Sequence, residues 1–442
     1  MAHDHPLAVS TRIIDENDTK TRPNRIIHEL NELTDGVALV EAFSHVIVVD
    51  TDDGVVLVDS SGPGGGSKVV SAFRGWTDRR VHSIVYTHGH VDHVGGSRAF
   101  AADAEDRGHP KPRVVGHVAV NKRLERYEFT NGYNVGINLR QFGGGARHTA
   151  GDRGRIRFVP EGTLRVDAEY DSIHTESIGG LTFEHHHAKG ETDDHTWTWI
   201  PEHKMITAGD LFIWNFPNCG NPQKVQRYPL EWAKALREMA AKRPELYVPS
   251  HGLPIEGEDR IQRCLDTVAG VLERLVADVL DAMNAEATLD EIVSSVAVDP
   301  ALLDLPFLRP FYDEPEFAVR AIWGLYGGWW DGHPARLKPA SDETIAIEVA
   351  ELAGGAGVLA ERAAVLADAG EWRLATELIE FAVRADPGND SIHRIRIDVY
   401  ERRRGIETSL MAKGVYTSAA ADSQIALGQD AKPHLIFDMF AD

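Results

Sequence analysis

Residues 86–96 read YTHGHVDHVGG and follow directly on the apolar run VHSIVY at 81–86. His88, His90, Asp92 and His93 fall within six residues, closed by Gly95 and Gly96. A short apolar run ahead of polar residues reads as a buried strand, which sets the four side chains at its C-terminal edge. His88 and His90 alternate, so an extended turn points both to one side. Asp92 and His93 turn to the other side once the chain curls into a helix. Two adjacent pockets follow, one of imidazoles and one of imidazole with carboxylate. That mixture of donors suits Zn²⁺, with Fe or Mn as alternatives. A histidine-rich surface loop is the bland reading; the H-x-H-x-D-H spacing between strand and helix argues against it. The paired glycines let the backbone pass closely beneath the metals.

The chain around this motif has 442 residues, enough for two or three domains, and 43% hydrophobic content, ordinary for a globular protein. Its 46 Lys and Arg against 68 Asp and Glu give a net charge of −22. Such a surface repels nucleic acid and anionic lipid, so neither is expected as a partner. Only two cysteines occur, Cys219 and Cys264, which excludes a disulfide framework or a cysteine-built metal site. The N-terminal residues show neither basic nor apolar signal-peptide regions, and no apolar stretch is long enough to span a membrane. A cytoplasmic location is expected.

Residues 1–260 read as strands separated by polar and glycine-rich turns: HVIVVD and GVVLVD as a pair, then SIVYTH, RVVGH, LTFEH, TWTWI, KMITAGD and ELYVPSH. Helical spacing appears between them in GGSRAFAADAED and LEWAKALREMAAK, and takes over beyond about residue 260. An α/β catalytic domain over 1–260 is thus expected to precede an all-α domain over 261–420, with 421–442 as a tail. The stretch from about Ile406 reads as irregular. Trp197 and Trp199 read as core residues, whereas Trp214 and Phe216 are candidates to meet an apolar substrate group.

THGHVDHVGG resembles the signature of the metallo-β-lactamase superfamily, which implies an αββα sandwich holding one or two metals. Within that resemblance, Asp210 at the end of KMITAGD matches the acid that bridges the metals, and His251 at the end of ELYVPSHG matches the final histidine. The third ligand of the first metal is usually a histidine; in HHHAKGETDDH, residues 185–195, Glu191 stands in its place, with His187 and His195 as rivals. Alkyl sulfatases, one branch of the superfamily, resemble this chain in using glutamate there. AVRAIWGLYGGWWDGHPARLKP (318–339) and LADAGEWRLATELIEFAVRADPGND (366–390) resemble the dimerisation domain of the same branch, which implies a homodimer.

The resemblance implies two Zn²⁺ per chain, one on His88, His90 and Glu191 and the other on Asp92, His93 and His251. Asp210 would bridge them, and Asp92 and Asp210 would be the catalytic carboxylates. It implies hydrolysis of alkyl sulfate monoesters by metal-activated water. Three carboxylates and a hydroxide against two divalent ions leave a neutral centre, a weak electrophile for dianionic phosphate monoesters but adequate for a monoanionic sulfate ester. For gripping the substrate, Asn131, Tyr133 and Arg140 come from the helical stretch 121–142, and Asn215, Asn218, Lys224 and Arg227 from 211–229. The family's histidines are missing from that second stretch, its bridging acid is a glutamate, and its C-terminal lipid-transfer-like module is not expected here. A lactonase, carboxylic esterase or phosphodiesterase is the alternative, and an iron-dependent redox enzyme a more remote one.

Overall fold

The computed structural model describes residues 3–143 and 156–431. They divide into two compact units, one of residues up to 130 with 157–329, the other of 131–156 with 330–437.

The first unit is built on two sheets. One joins β1 (Leu30–Thr34), β2 (Val37–Val40), β3 (Val46–Thr51), β4 (Gly54–Val58), β5 (Val81–Val85), β6 (Arg113–His117) and β7 (Ala168–Tyr170) in chain order. It is antiparallel from β1 to β4 and parallel from β4 to β7. The other joins β8 (Ile173–Ile178), β9 (Leu181–Ala188), β10 (His195–Ile200), β11 (Met205–Gly209), β12 (Leu246–Pro249) and β13 (Ile255–Glu256). Here β8 to β11 are antiparallel, β11 and β12 parallel, β12 and β13 antiparallel. Alternate residues of the two sheets form one core: Leu39, Ile47, Val49, Val56, Val58 and Val85 meet Phe183, Ile200, Met205 and Val248. Each such side chain, fully buried, contributes about 1.5–3 kcal/mol.

The intervening residues Val48, Val55 and Leu57 are buried too, so these strands are apolar on both faces and need helices outside. Helices Gly66–Arg74 and Ser97–Asp106 bring Phe73 and Phe100 together with ring centres 6.4 Å apart. Beyond the second sheet, Trp197, Trp199, Ile206 and Ala208 pack with helices Pro229–Ala241 and Glu258–Asn284. The result is an αββα sandwich. The 27-residue helix Glu258–Asn284 repeats buried Ile261, Leu265, Val268, Leu272 and Val276 at helical spacing. It belongs to this unit, which continues to residue 329.

The second unit is helical: Asn131–Gln141, Asp342–Ala353, Ala356–Asp368, Trp372–Ala385, Asp390–Ile406 and Leu410–Ala426. Its core is alanine-rich, with Ala360, Ala363, Ala367, Ala375 and Ala382 around Leu359, Ile379 and Val399. Two sequence expectations are corrected here. The stretch beyond Ile406 is not irregular; Ser409 caps a helix by accepting the Ala412 N–H at 3.3 Å. Its packed face carries Gly414, Ser418, Ala420 and Ala421, too small to register as an apolar stripe. At Gly414 a Cβ would lie 1.6 Å from the Gln141 carbonyl oxygen, so the two helices cross backbone to backbone. The stretch 121–142 is two helices, Ala119–Phe129 in the first unit and Asn131–Gln141 in the second.

Candidate metal centre

The strands that deliver the metal-ligating side chains end at the same edge of the sandwich. β5 runs into Tyr86 and Thr87, then His88 and His90, and the short helix Val91–Val94 turns Asp92 and His93 inward. Glu191 lies in the link from β9 to β10, Asp210 follows β11 and His251 follows β12.

Two groups of ligating atoms result, each lying within 4.8 Å of one another: His88, His90, Glu191 and Asp210, and Asp92, His93 and His251. Asp210 Oδ2 joins them. It lies 3.9 Å from His88 Nε2, 3.3 Å from His93 Nε2 and 3.6 Å from His251 Nε2. His251 Nε2 is also 3.3 Å from Asp92 Oδ2, and His90 Nδ1 is 3.6 Å from Glu191 Oε1. All seven residues singled out in the sequence as ligands are in these groups. The rivals to Glu191 are engaged elsewhere: His187 Nε2 bonds the Asp193 carbonyl at 2.9 Å, and His195 Nε2 accepts the Asp210 N–H at 3.1 Å. His195 stacks under His88 with ring centres 4.7 Å apart.

The sequence reading missed Asp59, which follows β4. Its carboxylate accepts from His93 Nδ1 at 2.7 Å, from the Ser250 hydroxyl at 2.7 Å and from the Thr87 N–H at 2.8 Å. Such a partner fixes the ring so that Nε2 faces the ligand groups. The signal was available, since GVVLVD ends an apolar strand on an acid as KMITAGD does.

The electrostatics differ across the centre. Burial holds the His88 and His90 rings well below the usual imidazole pKa. Burial opposes the charged forms of Asp92 and Asp210 as well, but His93 and His251 outweigh it and keep both ionised. Burial raises Glu191 to about 7, against the pull of Arg227, whose Nη1 lies 2.6 Å from Glu191 Oε1.

These residues fit a metal. His93 Nε2 and Asp210 Oδ1 are buried with no hydrogen-bond partner, which is costly unless an ion takes their lone pairs. The set of imidazole nitrogens and carboxylate oxygens is that of a transition-metal hydrolase site.

The residues expected to grip substrate are distributed differently. Asn218 Nδ2 donates to Glu191 Oε1 at 2.6 Å, beside Arg227 on the same oxygen. Asn215 donates to the Ile213 carbonyl at 3.1 Å. Burial lowers Lys224 to about 7, with Arg227 acting in the same direction. Asn131, Tyr133 and Arg140 lie on helix Asn131–Gln141 of the other unit. Trp214 and Phe216, expected near an apolar substrate group, are instead core residues, 1% and 0% exposed, and the Trp214 indole donates to the Leu253 carbonyl.

The metallo-beta-lactamase superfamily model matches residues 39–251, a span that contains both groups of candidate ligands. The alkyl sulfatase dimerisation model matches residues 288–425. The chain carries a metallo-beta-lactamase domain followed by an alkyl sulfatase dimerisation domain. It is 27% identical over 381 residues to a linear primary-alkylsulfatase of Pseudomonas sp. (strain ATCC 19151), covering 82% of this chain and 69% of that one. It is 23% identical over 430 residues to an (R)-specific secondary-alkylsulfatase of Pseudomonas sp., covering 90% and 64%. The chain spans 58–69% of the length of the curated alkylsulfatases it matches. The solved structure of a stereoselective inverting sec-alkylsulfatase from Pseudomonas sp. shares the fold, with a TM-score of 0.79 at 20% identity over 93% of this chain and 70% of that one. Among the described residues no helix is long and apolar enough to cross a membrane.

Proposed function

We propose that the protein is a dinuclear zinc hydrolase of alkyl sulfate monoesters. The observation that carries this reading is Asp210 Oδ2, 3.3–3.9 Å from imidazole nitrogens of both ligand groups. The similarity to primary and secondary alkylsulfatases supports the substrate class. His88, His90 and Glu191 would hold one ion, Asp92, His93 and His251 the other, and Asp210 both. Bound zinc would supply Lewis acidity and a water that ionises near neutral pH. The chain supplies the rest: Asp59 and His195 orient ligands, Asp92 and Asp210 stay anionic, and Arg227 and Lys224 offset the charge of an incoming sulfate, with Asn215 and Asn218 as amide donors. By role, residues 1–260 carry the chemistry, and the helical region matched by the dimerisation model over 288–425 forms a homodimer. Cys219 and Cys264 are both buried and unpaired, which supports a reducing, cytoplasmic setting.

Hydrolysis of lactones, carboxylic esters or phosphodiesters is the second reading, favoured by Arg227 and Asn218 both spending donors on Glu191. A screen of the zinc-loaded protein against alkyl sulfates, aryl sulfates, lactones and phosphodiesters separates the two. Turnover of alkyl sulfates is expected; turnover of lactones or diesters with none of sulfates overturns the leading reading.

A further inference from the structure

Two and three residues after Glu191, the chain places two acids, Asp193 and Asp194, that the proposed chemistry does not use. Asp194 is fully buried. Its Oδ2 accepts the backbone N–H of Gly89 at 3.0 Å, and Gly89 is the residue between His88 and His90. The same oxygen accepts Arg123 Nε at 2.9 Å, and Arg123, on helix Ala119–Phe129, is 3% exposed. The guanidinium also pairs with Asp193, whose side chain is 46% exposed. Gly89 is pressed into this arrangement, since a Cβ there would lie 3.0 Å from both Arg123 Cδ and Asp194 Oδ2.

We infer that Asp194, held by Arg123, is a positioning residue for the metal on His88, His90 and Glu191. The inference rests on the metal-binding reading of the site and concerns one of its two ions. A carboxylate fixed by a buried guanidinium anchors the peptide between the two histidines, so the loop cannot relax when no ion is present. Asp194 belongs to the same link as Glu191, which couples the third ligand to the other two. Asp92, His93 and His251 have no such tie to Asp194, so their ion does not depend on it.

The test is metal affinity, by competition with a chelator, together with the melting temperature of the metal-free protein. Asp194→Ala is expected to weaken one of the two bound zinc ions on the order of 10–100-fold, leaving the other at wild-type affinity. Because Asp194→Ala strands a buried arginine and can fail to fold, Gly89→Ala presses on the same contact without touching a charge. It is expected to show the same one-sided loss with the metal-free melting temperature kept. Asp193→Asn, at the exposed side of the same guanidinium, is expected to bind both ions normally. Gly89→Ala retaining both ions at wild-type affinity, or losing both equally, overturns the inference. Wild-type protein that binds no zinc overturns the metal reading itself, a result distinct from either.

Discussion

Glu191 and Asp210 are both buried carboxylates at one centre, yet their neighbours drive them apart. Asp210 faces His93 and His251 and stays ionised, whereas burial lifts Glu191 to about 7. With Glu191 ionised the occupied centre is neutral, and a histidine in its place would add one positive charge. Glu191→His is therefore expected to shift preference from sulfate towards phosphate monoesters with metal content retained. An unchanged sulfate-to-phosphate ratio with unchanged metal content sinks that charge argument. A second residue-scale prediction concerns Glu176 on β8, away from the metal groups. Burial opposes its charge, but hydrogen bonds from His185 and Arg113 win and hold its pKa at about 2. A depressed carboxylate stabilises the fold above its unfolded pKa near 4.3, and that stabilisation fades as pH falls through about 2. Glu176→Gln is expected to cost about 2–3 kcal/mol at pH 7 and progressively less below pH 4, measured by denaturant unfolding. A pH-independent difference would assign the cost to packing.

At the scale of elements, what was legible in the sequence is what local pattern controls. Apolar runs ending on His88, Asp210 and His251 announce strands with ligands at their ends, because strand burial and the following polar residue are both local. Glu191 needed a family resemblance, since nothing in HHHAKGETDDH ranks it above the histidines around it. The path of residues 211–228 was not legible. It is set from outside: Gly220 donates to Asp313 Oδ2 at 2.6 Å, and the Phe216 N–H to the Arg309 carbonyl at 2.9 Å. Trp214 sits there at φ 57°, a left-handed conformation rare for a bulky residue, with Gly252 against its ring. Contacts between residues some ninety positions apart leave no mark on periodicity, which is why Trp214 and Phe216 read as substrate-facing. The helix beyond residue 409 escaped for another reason, its packed face being glycine, alanine and serine.

For the whole molecule, the helical unit presents apolar side chains that its own core does not use: Leu352 is 81% exposed, Val365 54% and Leu374 50%. Exposed apolar side chains of this kind are what a homodimer would cover. Leu352→Asp with Val365→Asp is expected to halve the mass measured by light scattering while leaving the helical content intact; an unchanged mass assigns the dimer contact to another face. The ligand groups carry a separate consequence for metal loading. His88 to His93 come from the first sheet, while Glu191, Asp210 and His251 come from the second. Residues 88–251 contain the whole set, and neither sheet alone supplies it. Complete loading therefore requires both sheets to be assembled.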